Sequence, residues 1–288
     1  MQPEKLKAAI LDWAGTVVDF GSRAPMGAFQ RAFKEFGVDI SVDDARGPMG
    51  MAKWDHIRSV GQVPAVAAAW RAVHGRDFNE DDVRAIFEVF EPMNIASAAE
   101  HAGFIPGAVT ALAALQARGL RLGSTTGYTR AIMDVIEPIA AAGGYKPEIV
   151  VCAGDLPAGR PTPLMMWYAM ARMGVWPATS VVKVDDTPVG VGEGVNAGAW
   201  TVGVALAGSL CGLSEADLAA LTDADRRRIR DNATSKLRAA GADFVIDSIA
   251  DLPQACDEIA ARLAGGSSPG CKGRLTRAAS PVADCATM

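Results

Sequence analysis

Cysteine is scarce in this chain: five residues in 288, at Cys152, Cys211, Cys256, Cys271 and Cys285, an odd number with no C-x-x-C pair. That argues against a disulfide framework and reads as reduced thiols, so a cytoplasmic protein is expected. No apolar run approaches the roughly 20 residues of a membrane span, and the N-terminal one is too short for a secretory signal. Positive charge is in deficit: 28 Lys and Arg face 33 Asp and Glu, a formal net charge of −5, without a basic stripe. Neither nucleic acid nor a membrane is therefore an expected partner. Internal repeats are lacking too, and nothing between residue 20 and about 100 reads as a β-strand. Half the residues are hydrophobic and 21% are charged, enough for a sizeable core in one large or two modest domains.

The stretch that organises the rest is AAILDWAGT, residues 8–16. A short apolar run ends in Asp12, then Gly15 and Thr16, as a buried parallel strand does when it delivers a carboxylate to its C-terminal end. Helical spacing follows over 24–36 (Met26, Phe29, Phe33, Phe36) and stops at Gly37; Ser41 caps a short acidic turn. A helix opening at Lys53 and two more over 64–74 and 80–99 complete a wholly helical block. From Gly103 strands alternate with helices: strands over 120–125, 148–153, 180–184, 200–205 and 243–246, and helices over 107–118, 130–142, 162–173 and 189–197. The pattern predicts an α/β fold, a doubly wound and mainly parallel sheet, with an inserted all-helical cap domain. The expected division is a core of 1–19 and 101–264, a cap of 20–100, and a Gly/Ser/Pro/Ala-rich disordered tail over 265–288.

Four places in the core suit chemistry, and each has an ordinary alternative. Asp12 could be a turn or helix-capping aspartate. Ser124-Thr125-Thr126-Gly127 suits a phosphate cradle, with hydroxyl and backbone N–H donors, or a plain turn. Arg160, in Gly159-Arg160-Pro161-Thr162-Pro163, can neutralise a carboxylate and a phosphoryl group, or be a surface arginine. Asp185-Asp186 closes an apolar strand and, with Asp12, would make a hard-oxygen Mg²⁺ site, or simply form a turn. All four in this order, each at the C-terminal end of a strand, resemble the haloacid dehalogenase superfamily, whose nucleophile loop usually reads D-x-D-G-T. Ala14 replaces the second aspartate here. Phosphatases of the superfamily use that aspartate to protonate the departing alkoxide, help worth roughly 10²–10⁴-fold. Its loss points to a substrate whose leaving group is stabilised in another way.

The helical block offers one. Lys53 and His56 lie three apart, hence on one helix face. Lysine is rare in this chain, 8 against 20 arginines, so a lysine beside a histidine invites a chemical reading, although a solvated lysine is the composition's default. An amine whose pKa is lowered can form an imine with an aldehyde, an electron sink that lets a C–P bond break to an enamine. The runs DWAGTVVDFGSRAP, DARGPMGMAKWDHI, STTGYTR and AGRPTPLMMW resemble the phosphonoacetaldehyde hydrolase (phosphonatase) family. That resemblance implies cleavage of a small phosphonate to acetaldehyde and phosphate with Mg²⁺. It implies Asp12 as nucleophile and metal ligand, the Ala14 carbonyl and Asp186 as further ligands, and Lys53 as the Schiff-base lysine. His56 and Met49 assist it. Thr126, Gly127 and Arg160 lie at the phosphoryl group, and Tyr128 lies by the cap junction.

Two departures from the family pattern stand out. The acid often found four residues after Asp186 is Gly190, leaving water or Asp185 to complete the metal shell, though strand alternation points Asp185 the other way. Ser22 stands where some members carry a linker cysteine. The resemblance also implies a homodimer through the cap helices. The rivals are a metal-independent dehalogenase, a phosphatase or mutase acting on a small phosphate ester, and a non-catalytic binding module of the same fold.

Overall fold

A computed structural model describes residues 5–270. Its elements run β1 (Ala8–Leu11), α1 (Ala24–Glu35), α2 (Val42–Arg46), α3 (Lys53–Gly61), α4 (Pro64–His74), α5 (Glu80–Glu100), α6 (Ala108–Ala117), β2 (Arg121–Thr129), α7 (Arg130–Ala142), β3 (Val150–Ala153), α8 (Leu164–Met173), β4 (Val181–Asp185), α9 (Pro188–Ala197), β5 (Trp200–Val204), α10 (Glu215–Ala220), α11 (Asp223–Ala239), β6 (Phe244–Ile246) and α12 (Leu252–Ala264). All strands are parallel, in the order β3-β2-β1-β4-β5-β6. Strand direction of connection reverses between β1 and β4, which is where open α/β sheets bind ligands.

The unbroken apolar character of β1 follows from burial on both faces. Ala9 and Leu11 join one core cluster with residues of α6, α7 and α12, while Ala8 and Ile10 join another built largely on α8. Helices α1–α5 hold a separate cluster rich in aromatic rings, among them Phe29, Phe33, Trp70 and Phe90. This helical cap has its own core and enters the chain directly after β1. Asp19 fixes the junction: in a left-handed turn (φ 57°), its carboxylate accepts from Arg23 N and Ala24 N at 3.0 and 2.9 Å, capping α1.

Several elements differ from the sequence expectation, among them α2, a short helix where a turn was expected. β2 runs to Thr129 instead of ending at Thr125; its pairing with β3 is interrupted after Thr125 and resumes at Thr129↔Ala153. Helices α10, α11 and α12 are additional. α11 buries only Ala233 and Leu237, so its apolar stripe is too thin to read. Residues 265–270 of the expected tail are described, and Gly270 N donates to Asp243 Oδ1 at 2.7 Å; the remainder lies outside the described residues. Cys152, Cys211 and Cys256 are buried free thiols. Among the described residues no helix is long and apolar enough to cross a membrane.

Candidate active site

The end of β1 is locked between its neighbours: Leu11 pairs with Ser124 and Val184, and Asp12 N donates to Val184 O at 3.0 Å. The Asp12 carboxylate is thereby held at the switch point, where Arg160 Nη2 donates to Oδ1 at 3.0 Å. Burial raises the Asp12 carboxyl above the ordinary range and Asp185 adds to this, against the pull of Arg160 and Lys183. Gly15 is required beside it. Its φ is +76°, and a Cβ there would lie 2.5 Å from Asp186 Oδ2. Asp186 accepts from Ser209 N at 2.7 Å, and Thr16 Oγ1 lies 3.4 Å from its Oδ1. Burial and the neighbouring Asp185 and Asp12 push Asp186 up to about 8.

One carboxylate oxygen each from Asp12, Asp185 and Asp186 lies within 4.8 Å of the others, all buried. Asp185 Oδ2 accepts no hydrogen bond, although Lys183 Nζ and Arg160 Nη1 stand 3.1 and 3.3 Å away. Crowded hard-oxygen donors, one carboxyl raised by burial and its neighbours and another with an orphaned oxygen, fit a divalent cation. Gly190 has a steric reason: a Cβ there would overlap the Asp185 carboxylate. The strand acid thus fills the room that an acid on α9 would need. Burial alone would raise Asp185, but Arg160 and Lys183 outweigh it and hold the carboxyl below its usual range.

The cap supplies the opposite wall. Lys53 is the first residue of α3, 4% exposed, with its Nζ 5.2 Å from the Tyr128 ring and 5.7 Å from that of Phe29. It has no ion pair or hydrogen bond among the described residues. Burial, with Arg160 adding, lowers its pKa to about 8 against the opposing Asp12, Asp186 and Asp19. A helix N-terminus disfavours the ammonium further. His56 Nε2 lies 2.7 Å from Ala45 O; a carbonyl only accepts, so Nε2 carries the proton and the buried, unpartnered Nδ1 is a free base. Burial and the Lys53 charge lower the His56 pKa, leaving the ring neutral.

Asp12, Ala14, Met49, Lys53, Thr126, Gly127, Tyr128, Arg160 and Asp186 all line one cleft, together with Ser22. His56 does not; it lies behind, its ring centroid 3.9 Å from that of Phe29. Only ≈ 20 Å³ of the cleft is open to water, room for about a single molecule, so the cap must lift to admit a substrate. Gly127 lets the cap close this far, since a Cβ there would come within 3.1 Å of the Met51 and Gly50 carbonyls. A larger cavity of ≈ 1130 Å³, between α9, α11 and residues 268–270, contains none of these groups.

A phosphonoacetaldehyde hydrolase of Paraburkholderia phytofirmans is 51% identical over 264 residues, 92% of this chain and 99% of the relative. One from Pseudomonas aeruginosa is 45% identical over 268 residues, 93% and 98% of the two chains. The crystal structure of a phosphonoacetaldehyde hydrolase-like protein from Oleispira antarctica matches with a TM-score of 0.90 at 38% identity, over 92% of this chain and 96% of that one. The sequence pattern of haloacid dehalogenase-like hydrolases matches residues 6–198. The chain belongs to the phosphonoacetaldehyde hydrolase family of haloacid dehalogenase-like hydrolases.

In this member of the family, several groups at the site carry no strong local signal in the sequence. Phe29, one of several apolar residues on α1, lies against both Lys53 and His56. Thr187, beside Asp186, donates to Asp185 Oδ1 at 2.7 Å and accepts from Gly190 N. Glu193 and Lys183 are both fully buried; Glu193 pairs with Arg160 and Lys183 with Glu193. A lysine inside the apolar strand VVKVD was the one available hint.

Proposed function

We propose that this chain hydrolyses the C–P bond of phosphonoacetaldehyde to acetaldehyde and phosphate. The observation that carries the reading is Lys53: a buried amine without a carboxylate partner, sharing a small cleft with Asp12, at a site where Ala14 offers no acid. The Lys53 Nζ lone pair adds to the aldehyde carbon, and loss of water gives a protonated imine. His56 Nδ1 accepts the ammonium proton whose loss frees the Lys53 lone pair, directly or through water, and returns it to the carbinolamine hydroxyl that departs as water. An Asp12 carboxylate oxygen then attacks phosphorus in line. As the C–P bond breaks, its electron pair moves into the iminium, leaving an enamine on Lys53 and an aspartyl-phosphate on Asp12. Protonation at carbon regenerates the imine; water releases acetaldehyde from Lys53 and phosphate from Asp12.

Thr126 and Arg160 hold the phosphoryl oxygens, Gly127 admits the cap backbone, and Tyr128 and Met49 pack about the imine. Asp12, Asp186 and the Ala14 carbonyl would hold Mg²⁺, which supplies positive charge against the phosphoryl group. The proposal divides the chain into a core (1–19 and 101–264) and a cap (20–100), and extends to a cytoplasmic homodimer through the cap helices. Sedimentation that finds only monomer removes the last part.

Incubation with phosphonoacetaldehyde, Mg²⁺ and borohydride tests the chemistry. The expected result is inactivation, with a reduced-imine adduct on the Lys53 peptide. With a chelator in place of Mg²⁺, the adduct persists while phosphate release stops. Turnover of phosphate esters without an adduct, or turnover of neither substrate, overturns the proposal in favour of a phosphatase or a binding module.

A further inference from the structure

Two fully buried charged residues, Glu193 on α9 and Lys183 in β4, take no part in the steps above. We infer that they are positioning residues, holding the Arg160 guanidinium in the orientation that grips the phosphoryl group; the inference rests on the proposed function. Neither lines the cleft, yet Glu193 pairs with Arg160 and Lys183 pairs in turn with Glu193. Arg160 Nε donates to Glu193 Oε2 at 3.0 Å. The same oxygen accepts from Thr125 Oγ1 at 2.8 Å and lies 3.1 Å from Lys183 Nζ. Lys183 in turn donates to Thr125 Oγ1 at 2.7 Å, and the Thr125 carbonyl accepts from Arg160 Nη2.

This arrangement decides how the guanidinium is spent. Three carboxylates surround Arg160, and a planar fork facing them unconstrained could turn any edge to any of them. Glu193 takes the Nε edge, which fixes the plane and directs Nη2 to Asp12 Oδ1 at 3.0 Å. Nη1 stands 3.3 Å from Asp185 Oδ2 but makes no hydrogen bond, so it is the donor still open to a phosphoryl oxygen. Lys183 supplies the second positive charge that keeps Glu193 compensated. The chain makes room for it: a Cβ on Gly194 would sit 2.7 Å from Lys183 Cβ, so the lysine stem runs along α9 only because residue 194 is glycine. Both ends of the tie are anchored in rigid elements, β4 and α9, a requirement for orientation at the level of tenths of an ångström.

Single-turnover assays separate positioning from mere packing, because imine formation reads the cap and phosphate release reads Arg160. In Glu193→Gln the borohydride-trapped imine on Lys53 forms at the wild-type rate, while phosphate release per trapped site falls about 10²-fold, the scale of a misplaced reacting group. The double variant Lys183→Met, Glu193→Met replaces the pair by apolar side chains of similar length, removing one buried charge of each sign and leaving Asp185 paired with Arg160. It shows the same split. Phosphate release at the wild-type rate per trapped site in either variant overturns the inference and leaves the proposed function standing. Parallel loss of imine and phosphate, tracking a lowered unfolding temperature, overturns it too, as a structural role would. Absence of the imine in the wild type instead removes the proposed function itself.

Discussion

Two lysines are buried in the described residues, one in each half of the molecule, and they are treated in opposite ways. Lys183 in the core stands 3.1 Å from both Asp185 and Glu193 and donates to Thr125. Lys53 in the cap faces the rings of Tyr128 and Phe29, with no carboxylate in contact. Burial is equally severe for both, so compensation makes the difference. A buried ammonium with partners is scaffolding, whereas one without them gives up its proton readily and becomes a nucleophile. The core treats its carboxylates by the same logic. It crowds Asp12, Asp185 and Asp186 until one of them holds a proton near neutrality, a state that a divalent cation would relieve.

If the contrast is right, substitution of the two lysines should damage different properties. Lys53→Arg keeps a positive charge but cannot form the imine. C–P cleavage should fall by roughly 10⁴–10⁶-fold, the range for losing a covalent catalytic group. Phosphate release assayed with phosphonoacetaldehyde checks this, and retained cleavage would break the comparison at its strongest point. Lys183→Met should act on stability first. It leaves Glu193 and Asp185 short of a buried cation, a loss of about 3–5 kcal/mol readable from denaturant midpoints. A midpoint close to that of the wild type would mean that water or Arg160 takes over the lysine's role.

How much of this was open to reading in the chain itself follows from how local each signal is. The carboxylate ending β1, the hydroxyl-glycine turn of β2 and the acidic end of β4 each lie within a few residues of an apolar run, and all three meet at the switch point. Lys53 and His56 were legible as a helical pair, though their separation of roles was not: the lysine lines the cleft and the histidine stands behind it. The Arg160–Glu193–Lys183–Thr125 network could not be read in this way. Its members come from three elements and the loop before α8, and become neighbours only through parallel pairing of β2 and β4 on either side of β1. Taken alone, Glu193 looks like a solvated helix residue. The reason for Gly190, room for the Asp185 carboxylate, is likewise a property of packing.

The smallest expected effect is a matter of pH, and it tests the uncompensated burial of Lys53 directly. Burial, with Arg160 adding, lowers this amine from the usual 10.5 to about 8. Below that point it is protonated and cannot add to a carbonyl. The initial rate of borohydride-trapped imine should therefore rise about tenfold per pH step and level off above pH 8. Stability should show the same group with a definite sign. Between pH 8 and 10.5 the unfolded chain still binds a proton that the folded chain has released, so this lysine's contribution to stability rises with pH across that window. Below pH 8 both states bind the proton, and the cost of burying the ammonium is felt in full. At about 1.4 kcal/mol per tenfold it amounts to roughly 3 kcal/mol. Lys53→Met removes the rise, so the variant is the more stable protein at pH 7 and loses that advantage by pH 10. An imine midpoint near 10 would mean that Lys53 is solvated like any surface lysine, and the cap would then need another source of its reactivity.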